Sequence, residues 1–309
     1  MNQYKKIILA GGTGQIGNAL CHYFKDYAEK VIVLSRTQNK TDGTIHYVKW
    51  DGKYSGTWAS ELNDADILIN LAGKNVNCRY NVKNKKEIFD SRTNSIRALA
   101  KGLSLCEKAP KLWIQCASAT IYRHAEDRAM TEDDHEIGQG FSVEVCKKWE
   151  NTFWEETKSI IGMRKVVLRI SLVLSPNEGV LPRLRNLTKF GLGGIQGNGQ
   201  QFVSWIHEKD VVAIAAWLAE NPEIEGTFNC TSPYPIPNKV FMAICRKNYG
   251  MPFGLPSPKW LLEIGAKIIG TETELILKSR WVLPEKLLKF GYQFQYPKLN
   301  EAIKSLVNG

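Results

Sequence analysis

Short apolar runs separated by polar stretches recur through the first half of the chain. Each reads as a strand buried on both faces of a parallel sheet. Lys5-Lys6-Ile7-Ile8-Leu9-Ala10 is the first, Val31-Ile32-Val33-Leu34 the second, and Ile45 to Trp50 the third. Asp66-Ile67-Leu68-Ile69-Asn70 is the fourth, Leu112-Trp113-Ile114-Gln115-Cys116 the fifth, and Val166 to Val173 the sixth. Stretches of helical spacing lie between them. Asn18 to Phe24 follows the first strand; Phe89, Ile96, Leu99, Leu103 and Cys106 mark a helix after the fourth; Phe141 to about Lys158 forms one before the sixth. The second and third strands are too close in sequence for a helical crossover, which needs about a dozen residues, so an irregular join is expected there. Strands alternating with helices predict an α/β protein with a Rossmann-type, doubly wound parallel sheet. Binding residues then belong at the carboxyl ends of the strands.

Past about residue 176 the texture changes. Phe190 to Gln200 is a glycine-rich loop, Phe202-Val203-Ser204-Trp205-Ile206-His207 reads as a strand, and Glu208 to Glu220 as a helix. Prolines at 233, 235, 237, 252, 256 and 258 punctuate the rest. Helices are expected over Asn238–Asn248 and Lys259–Ile269. The expected division is a nucleotide-binding domain over 1–175, its sheet open to completion by later strands, and a smaller mixed α/β substrate lobe over 176–309. The lobe carries a distinct tail at about 250–300. Neither repeats nor low-complexity segments are seen.

The turn after the first strand concentrates the chemistry. Gly11-Gly12-Thr13-Gly14-Gln15-Ile16-Gly17 joins a strand to a helix with the spacing G-x-x-G-x-x-G, offset by one residue from the G-x-G-x-x-G of ordinary dehydrogenases. Gly11 allows a tight turn, Gly14 lets backbone approach a pyrophosphate, and Gly17 allows close helix–strand packing. The N–H groups of Thr13, Gln15 and Ile16 at the helix start favour an anion. At the end of the second strand stand Ser35 and Arg36, where an acidic residue would bind the ribose of NAD. An arginine there suits a 2′-phosphate, so NADP(H) is the expected cofactor. Asp51, after the third strand, is placed for an adenine contact. Leu71-Ala72-Gly73, after the fourth, are small enough to let a cofactor lie over the strand end.

Composition narrows the alternatives. With 43% hydrophobic and 23% charged residues the chain reads as an ordinary globular protein. Neither a signal peptide nor a membrane-spanning run is visible, and seven scattered cysteines without a C-x-x-C pair argue against disulfides and structural zinc. A reducing cytoplasm is the expected compartment, and the scattered histidines predict no metal site. The net charge of +10 is concentrated between Lys74 and Lys111. There the apolar helical spacing favours a solvated basic face over a nucleic-acid patch. A basic rim attracting an anionic cofactor or substrate stays open.

The set Gly11-x-x-Gly14-x-x-Gly17, Leu34-Ser35-Arg36, Asn70-Leu71-Ala72-Gly73 and Ser118-Ala119-Thr120-Ile121-Tyr122 resembles the extended short-chain dehydrogenases/reductases. Ser91-Arg92, Glu144-Val145-Cys146-Lys147-Lys148-Trp149-Glu150, Ser204-Trp205-Ile206-His207 and the tail from Arg280-Trp281 to Gly291-Tyr292-Gln293-Phe294 are similar to one atypical branch. That branch is the YfcH-type epimerase family proteins, which end in a domain of unknown function. The resemblance covers nearly the whole chain and implies an NADP-binding Rossmann domain with a C-terminal substrate lobe.

In that superfamily a Ser orients the substrate oxygen, and a Tyr in Y-x-x-x-K exchanges a proton while the Lys lowers its pKa and holds the ribose. The resemblance assigns Ser118 to the Ser and Lys147 to the Lys, but Val143 stands where the Tyr belongs. Three readings follow. Tyr122, His207 or a water supplies the proton; or Ser118 and Lys147 support a redox step that needs no strong acid, such as reduction of an activated double bond; or the protein binds NADP(H) without turnover as a sensor or partner-binding module. Gln201, Trp205 and His207 are expected to line the substrate pocket, with capping of the next helix as the other role for His207. The partner is then a small molecule, not nucleic acid or membrane, and the assembly a monomer or homodimer.

Overall fold

The computed structural model describes residues 3–36, 39–269 and 272–308. In chain order the first half comprises β1 (Tyr4–Ala10), α1 (Gln15–Phe24), β2 (Ala28–Ser35), β3 (Lys40–Asp42), β4 (Ile45–Lys49), β5 (Ile67–Asn70), α2 (Val82–Leu103), β6 (Leu112–Ser118), α3 (Phe141–Thr157) and β7 (Arg164–Ile170). Then come β8 (Leu172–Leu174), α4 (Leu181–Lys189), β9 (Phe202–Val203), β10 (Trp205–His207), α5 (Glu208–Glu220), β11 (Gly226–Cys230) and β12 (Ile236–Pro237). The tail holds α6 (Asn238–Asn248), α7 (Lys259–Ile269), α8 (Glu274–Leu277), α9 (Glu285–Lys289) and α10 (Leu299–Asn308).

Eight strands form the main sheet in the order β11-β7-β6-β5-β1-β2-β4-β3. All its pairings are parallel except the edge pair β3–β4. Alternating side chains divide each strand between two cores. Ile7, Leu9, Val31 and Val33 face Leu20 and Phe24 of α1 and Val211 and Ile214 of α5. Ile8, Ile32, Leu34 and Leu68 face Ile96 and Leu99 of α2 and Trp149 and Phe153 of α3. Helices covering both faces explain why the strands read as continuous apolar runs. The strand order reverses direction at β1 and β5, which places the glycine turn and Asn70–Gly73 side by side at the switch point.

Several expectations change in detail. The short join between β2 and β4 is taken up by β3, which lies antiparallel on β4. Val166 to Val173 is two strands, not one. At Ser171 the chain leaves the main sheet, and β8 pairs with β10 instead. Phe202 to His207 is likewise broken at Ser204, whose hydroxyl donates to the Arg280 carbonyl at 2.7 Å, so β9 pairs with β12 and β10 with β8. The chain then returns to the main sheet through β11. Cys106 lies beyond the end of α2. Arg92 is no part of a solvated basic face; it is 8% exposed. Among the described residues no helix is long and apolar enough to cross a membrane.

Candidate functional site at the carboxyl ends of the strands

The glycine turn has the geometry its spacing requires. Gly11 has φ of 75° and its N–H donates to the Leu34 carbonyl at 2.8 Å. A Cβ on Gly11 would sit 2.7 Å from the Ala72 Cα, and one on Gly17 only 2.3 Å from the Gly12 carbonyl oxygen. Side chains at these positions would push the turn away from β5 and from α1. Gly14 is the opposite case, because a Cβ there meets nothing within 4 Å. Gly14 caps α1 without a side-chain hydrogen bond, and no acidic residue occupies the first turn. Thr13 and Gly14 are exposed, Gln15 and Ile16 half-buried. The buried Gln15 Nε2 has no hydrogen-bond partner among the described residues, and its Oε1 abuts Gly179. Open space, N–H groups of Thr13, Gln15 and Ile16 with no backbone acceptor among the described residues, and an unpartnered amide together form a cradle suited to an anion.

The neighbouring strand ends extend this edge. Ser35 is buried and Arg36, the next residue, is exposed. Asp51 is exposed, and its Oδ1 accepts the Lys53 and Tyr54 N–H groups at 2.8 and 3.1 Å. Asn70 is fully buried; its Oδ1 accepts the Ala72 N–H at 3.1 Å and its Nδ2 donates to Gln115 Oε1 at 2.9 Å. That side chain fixes the turn through Leu71, Ala72 and Gly73. Ser118 ends β6, and its Oγ accepts the Thr120 N–H at 3.2 Å, capping the single 3-10 turn Ala119–Ile121.

Tyr122 does not have the freedom of an acid–base group. It is 2% exposed; its hydroxyl donates to Asn229 Oδ1 at 2.9 Å and accepts from Arg169 at 2.8 Å. Arg169 in turn grips Glu150 through two bonds of 2.9 and 2.8 Å. Burial pushes the Tyr122 hydroxyl up to about 12 despite the nearby Arg169 charge. Tyr122 is a buried tie between β6, β7 and β11.

Lys147 on α3 is half-exposed and pairs with Glu144 at 3.0 Å. Val143 is buried against Gly138. Ser142 and Cys146 are buried as well. Cys146 shares a small buried cluster with Ala119, Ile121 and Val282. The Ser142 hydroxyl donates to Glu274 at 3.1 Å and lies 3.5 Å from the Tyr80 hydroxyl. Trp149 and Phe153 of the same helix face the sheet. Burial pushes the Cys146 thiol up to about 12, which keeps it neutral.

Two cationic side chains reach this place from the tail. Lys278 Nζ donates to the Thr120 carbonyl at 2.8 Å, and Arg280 Nε donates to the Thr120 hydroxyl at 3.2 Å. Burial, followed by the like charge of Arg280, pulls the Lys278 ammonium down to about 8. Arg92 comes from α2. Its guanidinium stacks 4.7 Å over the Trp149 ring and donates to the carbonyls of Lys74 and Ile88. Arg280 and Arg92 stand in motifs quoted above. Cys146 does too, whereas Lys278 and Ser142 were not singled out, and only the helical phase of α3 carried a signal for Ser142.

The expected substrate contacts lie elsewhere. Gln201 is 2% exposed and donates to the Gln196 carbonyl at 2.9 Å. Trp205 is fully buried in the lobe core. His207 caps α5, accepting the Lys209 N–H at Nδ1, and stacks on Tyr296 with 3.9 Å between ring centroids. Its 1% exposure leaves the capping role and removes the substrate one. Burial lowers the His207 pKa to about 4. The unfolded chain therefore takes up this proton first, so stability is full above about pH 6.5 and is lost as the pH falls toward 4. Comparing urea midpoints with His207→Asn, which retains a capping side chain, should show the wild type losing up to about 3 kcal/mol more across that window. Parallel curves would contradict this.

The two described cavities, of about 370 and 240 Å³, open at the opposite edge. They are lined by Met163, Lys165 and Gly226, and by Tyr4, Ile67 and Leu112, at the amino ends of their strands.

A parallel sheet with a glycine turn at its switch point defines the class: a Rossmann-type α/β protein of the short-chain dehydrogenase kind. Residues 7–231 match the NAD dependent epimerase/dehydratase family, and residues 257–306 match a domain of unknown function, DUF1731. The chain belongs to that epimerase/dehydratase family. It is 31% identical over 304 residues to the epimerase family protein YfhF of Bacillus subtilis, covering 97% of each chain. The human epimerase family protein SDR39U1, solved with NADPH, superposes with a TM-score of 0.87 at 27% identity, covering 98% of this chain and 99% of that one. A nucleoside-diphosphate sugar epimerase of Corynebacterium glutamicum gives a TM-score of 0.77 at 26% identity, covering 98% of this chain and 58% of that one.

Proposed function

We propose that the chain binds NADP(H) across the glycine turn and acts as an oxidoreductase or epimerase on an anionic small molecule, nucleotide-linked ones among the candidates. The observation that carries the cofactor reading is the contrast within the turn: Gly17 is pressed onto Gly12 while Gly14 opens onto empty space at the start of α1, where no side chain caps the helix. That is the shape a pyrophosphate needs. The NADPH in the human relative supports the reading, and Arg36 at the end of β2 supports the phosphorylated form. When bound, the cofactor supplies or accepts hydride at its nicotinamide ring. The chain's own part is to hold the pyrophosphate at Gly14–Ile16, the 2′-phosphate at Arg36, and the ring side over Leu71–Gly73. Ser118 then orients the substrate oxygen.

Lys147 is the residue offered for the ribose hydroxyls; its ammonium pairs with the exposed Glu144 at 3.0 Å, a contact weak enough to be exchanged for the ribose. Val143, fully buried, stands where the Tyr of the Y-x-x-x-K pair belongs. That substitution also favours a second reading, an NADP(H)-binding sensor without turnover. Arg36→Ala separates cofactor choice from the rest: it should weaken NADPH by about tenfold or more, ~1.4 kcal/mol, and leave NADH nearly unchanged. Equal loss for both would sink the assignment. Turnover is tested by following NADPH oxidation with a panel of carbonyl and enone metabolites, where an inert panel with tight NADPH binding supports the sensor.

A further inference from the structure

We infer that Arg92 sets the redox preference of the cofactor site: its buried guanidinium, lying under Gly73, favours the neutral ring of NADPH over the cationic ring of NADP+. The inference rests on the reading above, in which the ring end of the cofactor lies over Leu71–Gly73.

The floor at that place is thin. A Cβ on Gly73 would meet the central carbon of the Arg92 guanidinium at 3.2 Å and its two terminal nitrogens at 3.4 Å. Gly73 is itself exposed, so a single layer of backbone separates the guanidinium from the space outside. The same helix holds that layer in place. The Ser91 hydroxyl accepts the Lys74 N–H at 2.8 Å, and Arg92 donates to the Lys74 carbonyl at 3.1 Å. The Ser91-Arg92 pair of the sequence thus grips both backbone groups of the residue after Gly73.

The charge beneath the floor is not neutralised. Among the described residues the partners of Arg92 are the carbonyls of Lys74 and Ile88 and the Trp149 ring, and its Nε has none. The groups that act on its charge are the Cys146 thiol and the Tyr80 hydroxyl, both kept neutral by burial, and no carboxylate is among them. Lys74 is the contrasting case, because Glu87 and Asn84 take its ammonium. Buried charge is normally met by counter-charge. Burial pulls the Arg92 guanidinium below its ordinary value, yet an arginine stays protonated in proteins.

The phosphates are alike in the two forms of the cofactor, whereas the nicotinamide ring carries a positive charge only when oxidised. A fixed cation under the ring therefore opposes the oxidised form alone. Acting through protein and not through water, such a like charge changes a ratio of affinities by about tenfold or more. By linkage the bound couple has a higher potential than the free one, by ~30 mV for each tenfold.

The test is calorimetric titration of the full chain with NADPH and, separately, with NADP+. The wild type should bind NADPH tighter by about tenfold. Arg92→Gln removes the charge but keeps an amide donor, and it should bring the two affinities to within about threefold. Arg92→Lys keeps the charge and should retain most of the preference. Arg92→Met is a second neutral variant, which the fold should tolerate because no carboxylate is stranded by the loss. Equal affinities in the wild type, or a preference that survives both neutral variants, would overturn the proposal. So would an equal loss of both nucleotides in those variants, which would show that Arg92 only shapes the floor. Binding of neither nucleotide by the wild type would instead remove the cofactor reading, and the proposal with it.

Discussion

Gly14→Ala should leave the fold intact and remove NADPH binding, whereas Gly17→Ala should damage both. The free protein has room for a methyl group at Gly14, with no atom within 4 Å of its Cβ. The backbone there is extended, with φ of −93°, so alanine is not strained. Stability should hold or rise by a few tenths of a kcal/mol. The methyl group would, however, occupy the path of the pyrophosphate, and affinity should fall by about a hundredfold, ~2.7 kcal/mol. At Gly17 the same methyl group meets the Gly12 backbone at 2.3 to 2.5 Å. Backbone cannot rotate aside, so α1 must move from the turn at a cost of about 1–3 kcal/mol, and the cradle is lost with it. Melting curves and calorimetric titration of the two variants read both effects. A Gly14→Ala protein that binds NADPH like the wild type would show that the pyrophosphate lies elsewhere.

Arg169→Met should be the most destabilising of the single changes considered, by about 3–5 kcal/mol. Arg169 and Glu150 expose only 11% and 7% of their side chains. Removing the guanidinium strands a carboxylate under α3 and leaves the Tyr122 hydroxyl with one partner fewer. Changing both members together, as in Arg169→Met with Glu150→Leu, should recover much of the loss, because no buried charge then stays unpaired. Tyr122→Phe should cost only about 1–2 kcal/mol and leave NADPH affinity unchanged, as befits a structural tie. Urea midpoints for the set close the cycle. A loss below about 1 kcal/mol for Arg169→Met would mean that water reaches Glu150.

The parallel sheet was legible because its strands are buried on both faces. Ile7 to Ala10 or Val31 to Leu34 need no partner to be read as interior. The glycine turn was legible for a different reason: its constraints are local, within a few residues of Gly11. What escaped depends on contacts distant in sequence. Ser171 and Ser204 look like ordinary members of their strands until Cys230 and Arg280 take their polar groups. His207 and Trp205 sit in a motif that resemblance ties to substrate, yet Tyr296 and α10 cover them. Lys278 lies 158 residues from Thr120, and nothing in its own neighbourhood announces that contact.

Calorimetric titration of the wild-type chain with NADPH and NADH tests the central claim most directly. The geometry of Gly11–Gly17 and the arginine at the end of β2 predict saturable binding of both, with NADPH the tighter by about tenfold or more. Failure of either nucleotide to bind would mean that the turn is a structural corner only. Tighter binding of NADH would contradict the place given to Arg36.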